Sequence, residues 1–183
     1  MKMRRALLAL GLVLTAGLGG YWYWHAWLEH SQDAPIRAAA QRYGLEPALV
    51  KAVVWRESRF HPSVRGLAHE IGLMQLQEDA AQEWADAEHI RNFDHEHCLD
   101  PATNTLAGAW YLRKLLRRYT QADNPLPYAL ADYNAGRSNV LKWNTGAAAT
   151  NSALFIQQIA FPGTKAYVQS VLRRYEHYRP VFR

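Results

Sequence analysis

The chain has 183 residues, 21 Lys and Arg against 16 Asp and Glu, a net charge of +5 and one cysteine. That length allows one ordinary domain plus an appendage, and a single cysteine excludes an internal disulfide framework and any site needing several thiolates. A charged fraction of 20% with 12% aromatic residues excludes a disordered chain, while a pI near 9.4 leaves nucleic acid, an anionic membrane and an anionic polymer open as partners.

Lys2, Arg4 and Arg5 precede an uncharged run from Ala6 to Trp24. As a helix this run is about 28 Å long, enough to cross a hydrocarbon core. It reads as a cleaved signal peptide or as a retained anchor. Thr15-Ala16-Gly17 and Gly17-Leu18-Gly19 are weak small-x-small cleavage sites. The run continues into Tyr21, Trp22, Tyr23, Trp24 and Trp27, the residues a membrane interface selects. The expectation is therefore a retained single-pass helix over 6–24. Residues 1–5 then lie in the cytoplasm, 25–34 form a polar tether, and 35–183 lie in the periplasm, tied to the inner membrane. No cysteine follows the run, which excludes lipidation there. With three basic side chains spent on topology, the remaining 18 face 16 acids and the domain is near neutral.

The rest is patterned as helix nearly throughout. Asp33 is a cap and Pro35 an opener for a helix stopping at Gly44. Glu46-Pro47 opens a second, with Leu49, Val50, Val53 and Val54 on one face, ending near Glu57-Ser58. Pro62 and Gly66 mark 59–71 as a loop, and Gly72 to about Asp86 reads as helix. Asp100-Pro101 starts a long helix with a stripe of Leu106, Ala109, Trp110, Leu112 and Leu116. Shorter helices are expected at 126–134, 138–144, 152–159 and 164–178, separated by Gly, Pro and Asn. No alternating strand pattern occurs, so the class is all-α.

Chemistry concentrates in Glu57-Ser58-Arg59-Phe60-His61-Pro62 and Ile71-Gly72-Leu73-Met74-Gln75-Leu76. Glu57 falls at a helix C-terminus, the negative pole, among Trp55, Phe60 and Met74. Its pKa should be raised, and a carboxyl protonated at neutral pH is what a general acid requires.

Glu-Ser-x-Phe-x-Pro followed by Gly-Leu-Met-Gln resembles the soluble lytic transglycosylase family, relatives of goose-type lysozyme. Further matches follow in order: Asp100-Pro101 with Asn104, Gly108 and Tyr111-Leu112; Ala131-Asp132-Tyr133-Asn134-Ala135-Gly136; and Phe161-Pro162-Gly163-Thr164 with Tyr167-Val168. They span roughly residues 35–178. The resemblance implies a lysozyme-like helical domain with a substrate cleft and Glu57 as sole catalytic acid/base. The implied substrate is peptidoglycan, cut between N-acetylmuramic acid and N-acetylglucosamine. Ordinary glycosidases use two carboxylates. Here the family's chemistry implies that the substrate's N-acetyl group replaces one. Glu57 would protonate the glycosidic oxygen and then deprotonate the muramic C6 hydroxyl, which attacks C1 to give a 1,6-anhydro sugar. No metal or cofactor is needed. Met74, Gln75, Tyr133 and Asn134 are implied to bind the glycan, with Ser58 placed to hold the carboxylate of Glu57. Each has a plainer reading. Met74 is equally well a core residue, while Phe161-Pro162 and Tyr167 are expected to pack the last helix and only border the cleft.

The sequence departs from the family between Pro62 and Gly72. Gly66, His69 and Glu70 stand where a Ser and a Gly-Ala pair are usual. Glu70 is expected near the site, paired with Arg65 or Arg59 and stiffening the loop; a sharper reading has it activating water. Asp132 is expected to face solvent or bind a neighbouring cation. Asp94-His95-Glu96-His97-Cys98 has metal-binding residue types but the spacing of no regular site, and no metal is assigned. Arg113-Lys114 and Arg117-Arg118 read as the wet face of a helix, and an exterior domain near neutrality argues against nucleic acid. The rivals are a muramidase hydrolysing the same bond and a non-catalytic glycan-binding scaffold of a secretion apparatus or other machinery spanning the wall.

Overall fold

The structure is a computed structural model describing residues 2–183, with the side chains of 2–10, 12 and 13 outside that description. Nine helices are present among the described residues: α1 (Lys2–Ser31), α2 (Asp33–Tyr43), α3 (Pro47–Ser58), α4 (Glu78–Ala87), α5 (Pro101–Arg118), α6 (Leu126–Ala135), α7 (Arg137–Trp143), α8 (Ser152–Gln158) and α9 (Pro162–Tyr178). Short 3-10 turns occupy His95–Leu99 and Gly146–Ala149. Among these residues the extended structure is limited to two isolated bridges, Arg65 with Ile71 and Ile71 with Leu76. The all-α expectation holds.

α3 is the central element. Ala48 to Val54 are all buried, so the helix is enclosed on every side rather than along one stripe. It packs on α9, while α2 packs on α5 and α6 touches both α5 and α9. Pro47 opens α3 at the position where a missing N–H costs nothing. Gly44 ends α2 in the left-handed region at φ 63°, as its sequence position suggests.

Enclosure of α3 explains why Asp33 does not cap α2. Lys51 lies on α3 and is 1% exposed. A buried ammonium needs a countercharge, and Asp33, already inside the first turn of α2, supplies it. The Lys51 Nζ also sits 4.2 Å from the centre of the Phe182 ring.

Residues 25–31, read as part of a tether, are helical and continue α1. Leu28 is buried, and the Tyr178 hydroxyl donates to Glu29 at 2.6 Å, so this end of α1 is docked on the domain. Ala6 to Leu10, Leu12 and Val13 of the expected anchor have side chains outside the described residues. Among the described residues no helix is long and apolar enough to cross a membrane.

Residues 72–77, expected as helix, form a turn instead, and α4 starts only at Glu78. Gly72 at φ 79° and Gln75 at φ 47° both lie in the left-handed region, which a right-handed helix cannot contain. The turn is closed by paired Ile71 and Leu76 backbone bonds of 3.0 Å. Asn104, fully buried on α5, clamps it. Its Oδ1 accepts from Met74 N at 2.7 Å, and its Nδ2 donates to the Ile71 and Cys98 carbonyls at 3.0 and 2.8 Å. A Cβ on Gly72 would fall 2.2 Å from that Nδ2, so the clamp requires glycine there.

Asn104→Ala therefore orphans the Met74 N–H and the Cys98 carbonyl and removes one of the two bonds to the Ile71 carbonyl. We expect a loss of about 3 kcal/mol, measured by urea unfolding, with Tm lowered by about 6–12 °C. A change under about 1 kcal/mol would mean that the turn holds itself. The buried face of α5 runs through Asn104, Thr105, Gly108, Leu112 and Leu115, rotated from the expected stripe so that Leu106, Trp110 and Leu116 are only half-buried. The polar Asn104 and Thr105 caused the misreading: both are inside, with the Thr105 hydroxyl bonded to Pro101 O at 2.8 Å.

Candidate active site

Four parts of the chain converge on Glu57: the last turn of α3, the 59–77 loop, α6 and α9. Glu57 lies in the last turn of α3, just before Arg59 leaves the helix at φ 53°. The Tyr167 hydroxyl, from α9, donates to its Oε1 at 2.5 Å. Burial pushes the Glu57 carboxyl up to about 7, against the opposing pull of the Tyr167 bond and the Arg56 charge; the negative charge of Glu70 adds to the rise. A carboxyl half-protonated near neutrality can give a proton and take one back in the same cycle.

From α6, Tyr133 donates its hydroxyl to the Met74 carbonyl at 2.7 Å and sets its ring 5.6 Å from that of Tyr111. Burial raises both Tyr133 and Tyr167 well above the usual phenol range, so both remain donors at any working pH. Glu57, Glu70, Gln75, Tyr111, Tyr133 and Asn134 line a groove of about 310 Å³.

The sequence-assigned residues divide here. Glu57, Gln75, Tyr133 and Asn134 are brought together at the groove. The Gln75 amide nitrogen is committed to the Val64 and Gly72 carbonyls at 3.0 and 2.8 Å, so it shapes the wall. Met74 does not line the groove with its side chain. It is fully buried against Gly108, where a Cβ would fall 2.3 Å from its sulfur, and it offers only its carbonyl, to Tyr133. Ser58 does not hold the Glu57 carboxylate either. Its hydroxyl turns back along α3 to the Val54 carbonyl at 3.1 Å, the usual way a buried helical serine is satisfied.

Glu70 lines the groove as expected, but its expected ion pair is absent. Arg65 is taken by Glu96 through two hydrogen bonds of 2.8 and 2.5 Å. Arg59 stacks on Trp55 instead, 3.5 Å from the ring centre. Glu70 folds over Gly66, where a Cβ would overlap its carboxyl, and its buried Oε2 has no hydrogen-bond partner. Asp132 is buried and binds a neighbouring cation: Arg118 reaches it at 3.1 Å and the Tyr119 hydroxyl at 2.6 Å.

The His95–Cys98 run is used structurally. His97 Nδ1 accepts from Asp94 N at 3.1 Å, completing a capping box, and His95 Nε2 bonds Leu76 O at 2.9 Å, bracing the turn. Burial pushes the Cys98 thiol up to about 12, far from the thiolate a metal binds. Among the described residues no group of His, Cys, Asp and Glu is arranged to hold a metal ion.

Tyr167 is the residue sequence reading misplaced. It sits one turn inside a helix with ordinary amphipathic spacing, 110 residues from its partner, and only the docking of α9 on α3 joins them.

A family model described as the transglycosylase SLT domain matches residues 34–156. The chain belongs to this family. The SLT domain match ends before α9, so Tyr167 lies beyond it. The soluble lytic murein transglycosylase of Escherichia coli K12 is 31% identical over 130 residues, covering 70% of this chain and 20% of the relative. The membrane-bound lytic murein transglycosylase F of Desulfosudis oleivorans is 35% identical over 108 residues, covering 57% of this chain and 22% of the relative. Among solved structures, an inactive mutant of the lytic transglycosylase Slt from Pseudomonas aeruginosa superposes with a TM-score of 0.73 at 27% identity, covering 80% of this chain and 24% of that one. The SLT domain chain thus spans about a fifth of the length of the curated relatives it matches.

Proposed function

We propose that the protein is a peptidoglycan lytic transglycosylase in which Glu57 acts alone as acid and then base. The observation that carries this is a groove-lining carboxyl with a pKa of about 7, held by a single phenol, in a chain of the SLT family. A glycan strand lies along the groove. Glu57 protonates the oxygen between muramic acid and glucosamine, and the substrate's N-acetyl oxygen stabilises C1. Glu57 then takes the proton of the C6 hydroxyl as that oxygen closes on C1. The carboxyl returns to its starting state, so one titratable group with a pKa near the working pH suffices. The test is digestion of purified glycan strands with product masses read out. Anhydro ends, one water lighter than reducing ends, are expected; reducing ends alone would replace this reading with a muramidase. Glu70, the second carboxylate at the groove, is the observation that favours hydrolysis.

Glu70 also supplies an electrostatic test. The groups facing Glu57 are Tyr167 from α9, Tyr133 from α6, Arg56 from α3 and Glu70 from the loop. Glu70→Gln removes the one that raises Glu57 by charge. The Glu57 pKa then falls, and the alkaline limb of the kcat/KM profile, which needs the protonated acid, moves to lower pH. An unmoved limb would show that Glu70 is electrostatically screened.

Residues 6–24 are proposed to anchor the chain in the inner membrane, with 1–5 cytoplasmic and 35–183 on the periplasmic side. Three early positive charges, the uncharged run and exposed Tyr21, Trp22, Tyr23, Trp24 and Trp27 support this. Resistance of the full chain to carbonate extraction from membranes is the check.

A further inference from the structure

A second cleft, of about 270 Å³, lies where α1 meets the domain. α1 contributes Tyr21, Trp22 and Glu29 to it, and the domain contributes Trp55, Arg59 and Arg174. Two guanidiniums share the Trp55 ring, Arg59 at 3.5 Å and Arg174 at 4.3 Å from its centre. That stacking braces two long, otherwise mobile cations on one rigid ring.

These two cations face a single carboxylate, Glu29. The Arg59 guanidinium has no hydrogen bond or ion pair among the described residues. Arg174 comes only within 3.8 Å of Glu29, and its buried Nε has no hydrogen-bond partner. Glu29 is already engaged by the Tyr178 hydroxyl at 2.6 Å. Burial, then the charges of Arg56 and Arg174, pull the Arg59 guanidinium below its ordinary range. The cluster keeps one positive charge in excess of Glu29, and guanidinium forks match phosphate oxygens with paired hydrogen bonds.

The position of the cleft suggests where that phosphate comes from. Tyr21 to Glu29 of α1 rise about 12 Å. If the span runs from Ala6 to Trp24, Tyr21 to Trp24 lie at the edge of the hydrocarbon core and the rest of this stretch lies just beyond it, at headgroup depth. Tyr21 and Trp22 are the ring types that settle at that edge, and buried Leu28 and Phe60 give the cleft an apolar floor. We infer that Arg59 and Arg174, braced on Trp55, bind the phosphate diester of an anionic phospholipid at the junction of α1 and the catalytic domain. This rests on the proposed anchor. It would hold the domain against the membrane surface by a second contact besides the span itself.

The test is native mass spectrometry of the full chain, released from mixed micelles doped either with phosphatidylglycerol or with phosphatidylcholine. One retained phosphatidylglycerol per chain is expected, with retention at least tenfold weaker in the doubly substituted Arg59→Gln, Arg174→Gln chain, at about 1 kcal/mol per cation. The Arg113→Gln, Arg117→Gln chain, altered on the far helix α5, should retain lipid as the wild type does. Equal retention of the two lipids by the wild-type chain overturns the proposal and needs no variant to fold. Displacement of phosphatidylglycerol by millimolar inorganic phosphate would overturn the lipid source and leave free phosphate as the ligand. Carbonate extraction separates the two readings. A chain that washes off membranes removes the anchor, while a chain that resists extraction yet retains no lipid removes only the headgroup site.

Discussion

Glu57→Gln should lower the lysis of purified sacculi by about 10³-fold or more while leaving the chain folded. A carboxamide has no acidic proton to give to the glycosidic oxygen and cannot take one from the C6 hydroxyl, so both halves of the proposed cycle fail together. General acid–base groups contribute about 10²–10⁴-fold, and here one group holds both roles. The fold should tolerate the change because the Tyr167 hydroxyl, which donates to Oε1 at 2.5 Å, can donate equally to the amide oxygen. Dye release from labelled sacculi measures the rate, and thermal unfolding shows that Tm is kept or slightly raised. Lysis at the wild-type rate would remove the mechanism and favour a glycan-binding scaffold.

Tyr167→Phe is the second large effect. Among the described residues Tyr167 donates the one side-chain hydrogen bond that Glu57 receives, and that bond favours the carboxylate form. Without it the Glu57 pKa rises from about 7, so the alkaline limb of the pH profile moves up. The direction is opposite to that expected for Glu70→Gln, which separates the two neighbours by sign. The carboxyl also loses the contact that aims it, and a displacement of about 1 Å is enough to cost 10–100-fold in kcat, with KM nearly unchanged. A purely structural tyrosine would lower Tm without moving the limb.

Much of this site is legible in the primary structure because its signals are local. Glu57 announces itself by lying at the end of an apolar helix and inside a short motif. Gln75, Tyr133 and Asn134 sit in two more motifs of the same kind, and all four meet at the groove. Met74 belongs to such a motif too, but packing on Gly108 decides whether its side chain or only its carbonyl is used. The turn at 72–77 was hidden because Gly-Leu-Met-Gln-Leu has ordinary helical composition. What prevents a helix is Asn104, 30 residues further along the chain, capturing the Met74 N–H.

The all-α class, the order of the helices, most of their ends and the choice of Glu57 as the candidate acid follow from the sequence by itself, because periodicity, caps and short motifs act over a few residues. The partner of the acid, the freedom of Glu70 and the pairing of Arg59 with Arg174 over Trp55 were decided only by the tertiary structure. Each depends on which of several chemically equivalent groups is nearest after packing. Arg65 goes to Glu96 rather than Glu70, and Tyr167 rather than Ser58 reaches Glu57, because burial and distance between remote helices carry no signature in the local sequence.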